Sequence, residues 1–98
     1  MQSRVIPSKI IVGGHDVDVR TGELGKDASG YTILGEWRHK TNTITLSPVD
    51  NEDVLWESFW HEAVEAINST YRLDIPHETI VILGTTLSRV HKDVTHGC

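Results

Sequence analysis

Cysteine is nearly missing from this 98-residue chain, and the one present, Cys98, is its last residue. A lone thiol can neither staple the chain internally nor build a cysteine-rich zinc site, so it is read as a free terminal thiol. Long apolar runs are missing as well. No segment approaches the roughly 20 residues of a membrane helix, and Met1 to Pro7 holds no apolar core of signal-peptide length. That pattern points to a soluble protein of a reducing cytoplasm, with no membrane partner. Clustered basic charge is lacking too: nine Lys and Arg lie scattered among fourteen Asp and Glu, for a net charge of −5. Neutralising nucleic-acid phosphates needs clustered cations, so nucleic acid is excluded as a partner. Asn68-Ser69-Thr70 matches a glycosylation sequon, but without a secretory signal it is read as coincidence.

What remains is the make-up of one globular domain spanning residues 1–98. The apolar fraction of 38% and charged fraction of 23% are those of a folded chain. Six histidines stand out in so short a sequence, and histidine is the commonest metal ligand.

The first half reads as strands and the second as helices, an α+β pattern. Lys9 to Val12 is rich in β-branched residues, Gly13-Gly14 fits a two-residue turn, and His15 to Arg20 alternates with Val17 and Val19 on one face. Thr21 to Gly30 is a loop; its Gly25-Lys26 lacks phosphate-binding spacing and is assigned no ligand. Tyr31 to Arg38 and Thr43 to Leu46 predict a second hairpin across His39-Lys40-Thr41-Asn42. Pro48 ends it. Asp50 or Asn51 then caps a helix with Glu52 and Asp53 in its first turn, running to about Tyr71. Leu55, Phe59, Ala63, Ala66 and Ile67 form its expected buried stripe, widened by Trp56 and Trp60. Pro76 suits the first turn of a second helix, with Ile80, Leu83, Leu87 and Val90 as its stripe, fading at the Asp93 to Cys98 tail. Trp37 is assigned to the core. The whole predicts a small antiparallel or mixed sheet of three to four strands packed on two helices.

The chemistry gathers on the first helix. His61 and Glu65 are four apart, so their Cβ atoms stand roughly 5–6 Å apart on one face, a spacing that grips one metal ion. Glu62 points about 100° round the helix, beside such an ion and not onto it. A carboxylate there can take a proton from a metal-bound water, as in the H-E-x-x-H metalloprotease pattern. A catalytic zinc usually has three protein ligands plus a water. His77 is the best third, because the tight connection after the first helix returns the chain antiparallel. His91 shares the face of His77, but about 21 Å of helix separates them, so they cannot serve one ion. His15 and His39 sit in or beside turns, and His96 in the tail; all three are weaker candidates. Glu78 reads as a first-turn carboxylate favoured by the helix dipole.

The string Phe59-Trp60-His61-Glu62-Ala63-Val64-Glu65-Ala66-Ile67-Asn68 resembles the active-site helix of small zincin-like (HExxH or HExxE) metallopeptidase-like proteins carried by bacteriophages. Leu73-Asp74-Ile75-Pro76-His77-Glu78-Thr79-Ile80 is similar to their second-helix opening. Gly35-Glu36-Trp37 and Asn42-Thr43-Ile44-Thr45-Leu46 are similar to the preceding hairpin, so the likeness covers about residues 8 to 93. It implies a compact sheet on two helices, a zinc ion held by His61, Glu65 and His77, and peptidase activity with Glu62 as general base. Glu65 departs from the commoner second histidine. Two imidazoles and a carboxylate still suit zinc, and they suit Fe2+ or Mn2+ too.

Two functions are open at this point. One is a metallopeptidase, with the Thr43 to Leu46 strand expected to offer its edge to an extended peptide or protein substrate. The other is a non-enzymatic phage module that binds a host protein in the host cytoplasm and keeps a structural or vestigial metal. A third, chemically silent possibility is that His61 and Glu65 are only an i, i+4 pair contributing about 0.2–0.5 kcal/mol to a solvated helix face.

Overall fold

Gly13 and Gly14 have φ of 59° and 77°, the left-handed pair that a two-residue I′ turn requires. They fold β1 (Lys9–Val12) back on β2 (His15–Thr21) in register Val12↔His15. A Cβ on Gly13 would stand 2.6 Å from Thr70 Cγ2, so only glycine lets this turn close onto the first helix. The second hairpin joins β3 (Gly35–Arg38) to β4 (Thr43–Leu46), antiparallel with Trp37 opposite Ile44. β4 also pairs with β2 in parallel, giving a four-stranded mixed sheet in the order β1-β2-β4-β3. These statements, and all that follow, concern residues 5–96, which the computed structural model describes.

Period-two alternation fixes the buried face of the sheet. Val12, Val17, Val19, Ile44 and Leu46 are buried and meet Trp56, Phe59 and Ala66 of α1 (Glu52–Tyr71). Trp37, Leu55 and Trp60 pack against this core from its margins. Asn51 caps α1 by accepting from the backbone N–H of Asp53 and Val54 at 2.9 and 3.2 Å. Helix α2 (His77–His96) packs against α1 and not against the sheet, so α1 is the middle layer. No helix among the described residues is long and apolar enough to cross a membrane.

The α+β architecture agrees with the sequence pattern; several details do not. Only Gly35–Arg38 of the expected Tyr31 to Arg38 strand is ladder. Residues 31–33 instead bond back to their own loop, through Asp27 N–H to Tyr31 C=O, the Lys26↔Thr32 bridge and Ile33 N–H to Gly25 C=O, while the Ile33 and Leu34 carbonyls accept from Ser47 just past β4. β4 is an inner strand, paired on both sides, and has no edge to offer a peptide; the open edge beside α1 belongs to β3. Ile67 is 38% exposed where a buried residue is expected, whereas Val64 is buried, because α1 is covered from two sides. On α2 the contact row is Ile80, Gly84 and Ser88, one helical turn apart, and Val90 is 52% exposed. Small residues at 84 and 88 draw the helices together along a row that an apolar pattern does not mark. Pro76 lies just before α2, its carbonyl accepting from Thr79 and Ile80 N–H, and the helix continues to His96.

Candidate metal centre

His61, Glu62 and Glu65 sit in the third and fourth turns of α1, where both neighbouring layers approach. On one side, Gly84 of α2 backs onto His61: a Cβ there would lie 2.9 Å from His61 Cα and 3.0 Å from its N. On the other, Gly35 of β3 backs onto the Glu62 side chain. Glycine inside a helix or strand often marks such close approach.

At the far end of α1, Arg72 adopts the left-handed conformation (φ 52°, ψ 52°) and its N–H bonds to Asn68 C=O. The Asn68 side chain then accepts from Ile75 N–H at 2.9 Å. Asn68 thus holds the five-residue connection that delivers His77 to the start of α2.

These devices bring the three predicted ligands together. The donor atoms of His61, Glu65 and His77 all lie within 4.8 Å of one another. His61 Nε2 is 3.7 Å from Glu65 Oε2, and the His61 and His77 rings meet edge to face at 5.6 Å. Atoms bound to one zinc at about 2.0–2.2 Å stand roughly 3.4 Å apart in tetrahedral geometry. The His61–Glu65 pair is close to that spacing, and exposed His77 brings its donor within 4.8 Å of both, so the donor set fits a divalent ion. Burial lowers the His61 imidazole below its usual pKa of 6.5, against the pull of Glu65 and aided by His77. That favours the neutral ring, the form that ligates.

Glu62 lies apart from the donors, as its helical angle predicts. It is only 8% exposed, and no hydrogen bond or ion pair satisfies its carboxylate among the described residues. Burial, helped by the Glu65 and Glu36 carboxylates, raises its pKa from 4.5 to about 7. It lines a cleft of about 350 Å³ between β3, α1 and α2, whose walls include Leu34, Gly35, Glu57, His61, Val81 and Thr85.

The other histidines are elsewhere. His91 stacks on Trp56 with ring centres 4.4 Å apart and leans on Trp60 at 5.7 Å. His39 Nδ1 shares a 2.9 Å hydrogen bond with Ser69 Oγ. His15 is exposed at the β1–β2 turn, and the side chain of His96, like Cys98, lies outside the described residues. Glu78 is exposed in the first turn of α2. Sequence reasoning missed Gly35, Gly84, Asn68 and Glu57. The two glycines inside regular elements were the available signal.

No protein family, curated protein or solved structure matches the chain, so the geometry of the site carries the functional reading by itself.

Proposed function

We propose that the chain is a metal-dependent hydrolase of peptide bonds, a minimal zincin-like domain in which His61, Glu65 and His77 hold zinc and Glu62 is the general base. One observation carries this reading: a buried, unpartnered carboxylate stands beside a three-donor cluster and lines the same cleft as His61. A site built only to hold the fold has no use for Glu62, and a largely buried carboxylate that meets only the cleft and no protein partner among the described residues costs stability.

Bound there, zinc supplies Lewis acidity, lowering the pKa of a coordinated water and polarising a carbonyl oxygen. The two-histidine, one-carboxylate set suits Fe2+ or Mn2+ as well. The chain's own residues do the rest. Imidazoles ligate as neutral rings, so two histidines and one carboxylate would bring a single negative charge to the ion. Glu62, with a proton affinity near neutrality, takes the proton of the attacking water and returns it to the leaving amine. The β3 edge, unpaired among the described residues, meets the cleft at Gly35 and suits an extended peptide added by backbone hydrogen bonds. A reducing cytoplasm suits a chain with one cysteine.

The test is digestion of a mixed peptide pool by protein loaded with one zinc equivalent, read by mass spectrometry. The reading requires new termini that disappear on chelation. A pool left intact under zinc, Fe2+ and Mn2+ alike overturns it.

A second reading keeps the ion and drops the turnover. Helix α2 leaves Ile82 and Val90 exposed on its outer side, a surface suited to a host protein partner.

A further inference from the structure

Glu57 lies one turn before His61 on the same row of α1 as His61 and Glu65, four residues apart at each step. It is half-buried in the wall of the cleft, and no hydrogen bond or ion pair satisfies it among the described residues. Facing it across the same cleft are Leu34 and Val81, apolar side chains that are 40% and 42% exposed. The remaining walls are Gly35, His61, Glu62 and the hydroxyl side chains of Thr32, Ser58 and Thr85, and no Lys or Arg lines the space. Glu62, in the same cleft, is 8% exposed, and among the described residues no ion pair joins either carboxylate to a cation; Arg89 and Lys92 border Glu57 only in a separate, smaller hollow of about 150 Å³.

Apolar walls leading to an unanswered carboxylate match one kind of side chain. Lysine and arginine lay a long apolar stem along apolar surface and carry a charged head to its end. An aliphatic residue would leave Glu57 unanswered, and an acidic one would add to the negative charge of the cleft. The volume, about 350 Å³, holds such a side chain together with the short stretch of peptide that bears it.

We infer that the cleft is a recognition subsite for a basic residue: a Lys or Arg side chain of the bound peptide lies against Leu34 and Val81 and pairs with Glu57. This rests on the reading of the site as peptide-binding and deepens it by naming the substrate class. Glu57 touches the substrate side chain and no reacting atom, so it sets specificity and not rate of bond cleavage.

Binding, and not cleavage, is the appropriate readout. Four acetylated tripeptide amides, Ala-X-Ala with X lysine, arginine, norleucine or glutamate, are titrated into the full chain and followed by backbone amide shifts. Metal-free and zinc-loaded protein are each used. The lysine and arginine peptides should bind at least about tenfold more tightly than norleucine, a difference of about 1.4 kcal/mol, and shift Ser58, Val81 and Thr85. The glutamate peptide should be weakest. Glu57→Gln should erase the preference for lysine over norleucine, and Glu57→Lys should turn it toward glutamate, both with unchanged metal content and helical signal. Norleucine binding as well as lysine, a preference that survives Glu57→Gln, or no binding by any of the four overturns the inference. Selective binding without any cleavage would instead refute the hydrolase and leave the subsite standing; cleavage blind to basic residues would do the reverse.

Discussion

Gly35 presses bare backbone against Glu62: a Cβ at position 35 would stand 2.9 Å from Glu62 Cγ and 3.0 Å from its Oε2. Strand β3 and the carboxylate therefore define each other's position. Gly35→Ala should push the carboxylate or the strand aside. Overpacking of this kind costs about 1–3 kcal/mol, and misplacing a catalytic group by about 1 Å lowers turnover about a hundredfold. The three atoms nearest that Cβ all belong to Glu62, so metal content should hold. Peptide turnover and bound zinc, measured on the same sample, check this. Full activity in Gly35→Ala would mean that Glu62 does not act from the position it occupies here.

The three candidate ligands come from two helices, two from α1 and one from α2, so an ion held by them would join layers that otherwise meet through side-chain packing. One divalent ion per chain should appear in native mass spectrometry, and chelation should lower the melting temperature. At a free ion concentration about 100 times Kd the added stability is about 2.7 kcal/mol, which for a chain of this size means roughly 10–20 °C. His77→Ala should abolish most of that rise while leaving the apo melting point nearly unchanged, because His77 is exposed. An identical melting curve with and without chelator removes the metal from the account.

How much of this was legible in the sequence divides by the kind of signal. Glycine pairs, period-two valines and the Asn51 cap are local, and they place the first hairpin and the start of α1 correctly. The juxtaposition of His61, Glu65 and His77 was legible because helical spacing is local too and a short connection leaves little freedom in where the chain returns. Strand order was not legible. Nothing in Thr43 to Leu46 says that β2 pairs with it in parallel and makes it an inner strand, since its Ile44 and Leu46 would alternate equally well at an edge. Likewise Val90 and Ser88 exchange expected environments because α2 meets α1 through small residues, and apolar pattern alone cannot weigh close approach against side-chain area. Glu57 was invisible for another reason: a carboxylate becomes informative only when the fold shows which cleft it lines and that no ion pair answers it there.

Without metal, Glu62 makes stability fall as pH rises. Its native pKa of about 7 exceeds the ordinary 4.5, so between those values the native state holds a proton that the unfolded state has lost. The favourable contribution is complete below about 4.5 and disappears as pH passes through 7, a change on the order of 3 kcal/mol. His61 works in the opposite direction: its pKa is lowered from 6.5, so stability is lost as pH falls below that value. The comparison of parent with Glu62→Gln isolates the first effect, because both carry His61. Denaturant unfolding of chelated protein should show Glu62→Gln gaining on the parent steadily from pH 4.5 to pH 8. Parallel pH profiles for the two would mean that the buried carboxylate is not held as the structure has it.

Glu62→Gln also separates an enzyme from a binding module. Glutamine keeps the shape and much of the hydrogen bonding of glutamate but cannot accept the water's proton. It lies next to a ligand yet turned about 100° from the ligand row, so His61, Glu65 and His77 should hold the same ion in the variant. For a hydrolase, metal content stays near one per chain while turnover falls at least about a hundredfold, the scale on which general-base catalysis acts. KM should change little, because the loss falls on the transition state and not on substrate binding. For a binding module with a structural ion, the parent cleaves nothing and the variant binds its partner as the parent does. Cleavage by the parent that survives Glu62→Gln undiminished would refute the mechanism even with zinc bound at His61, Glu65 and His77, since the proton would then be leaving by a route that does not pass through this carboxylate.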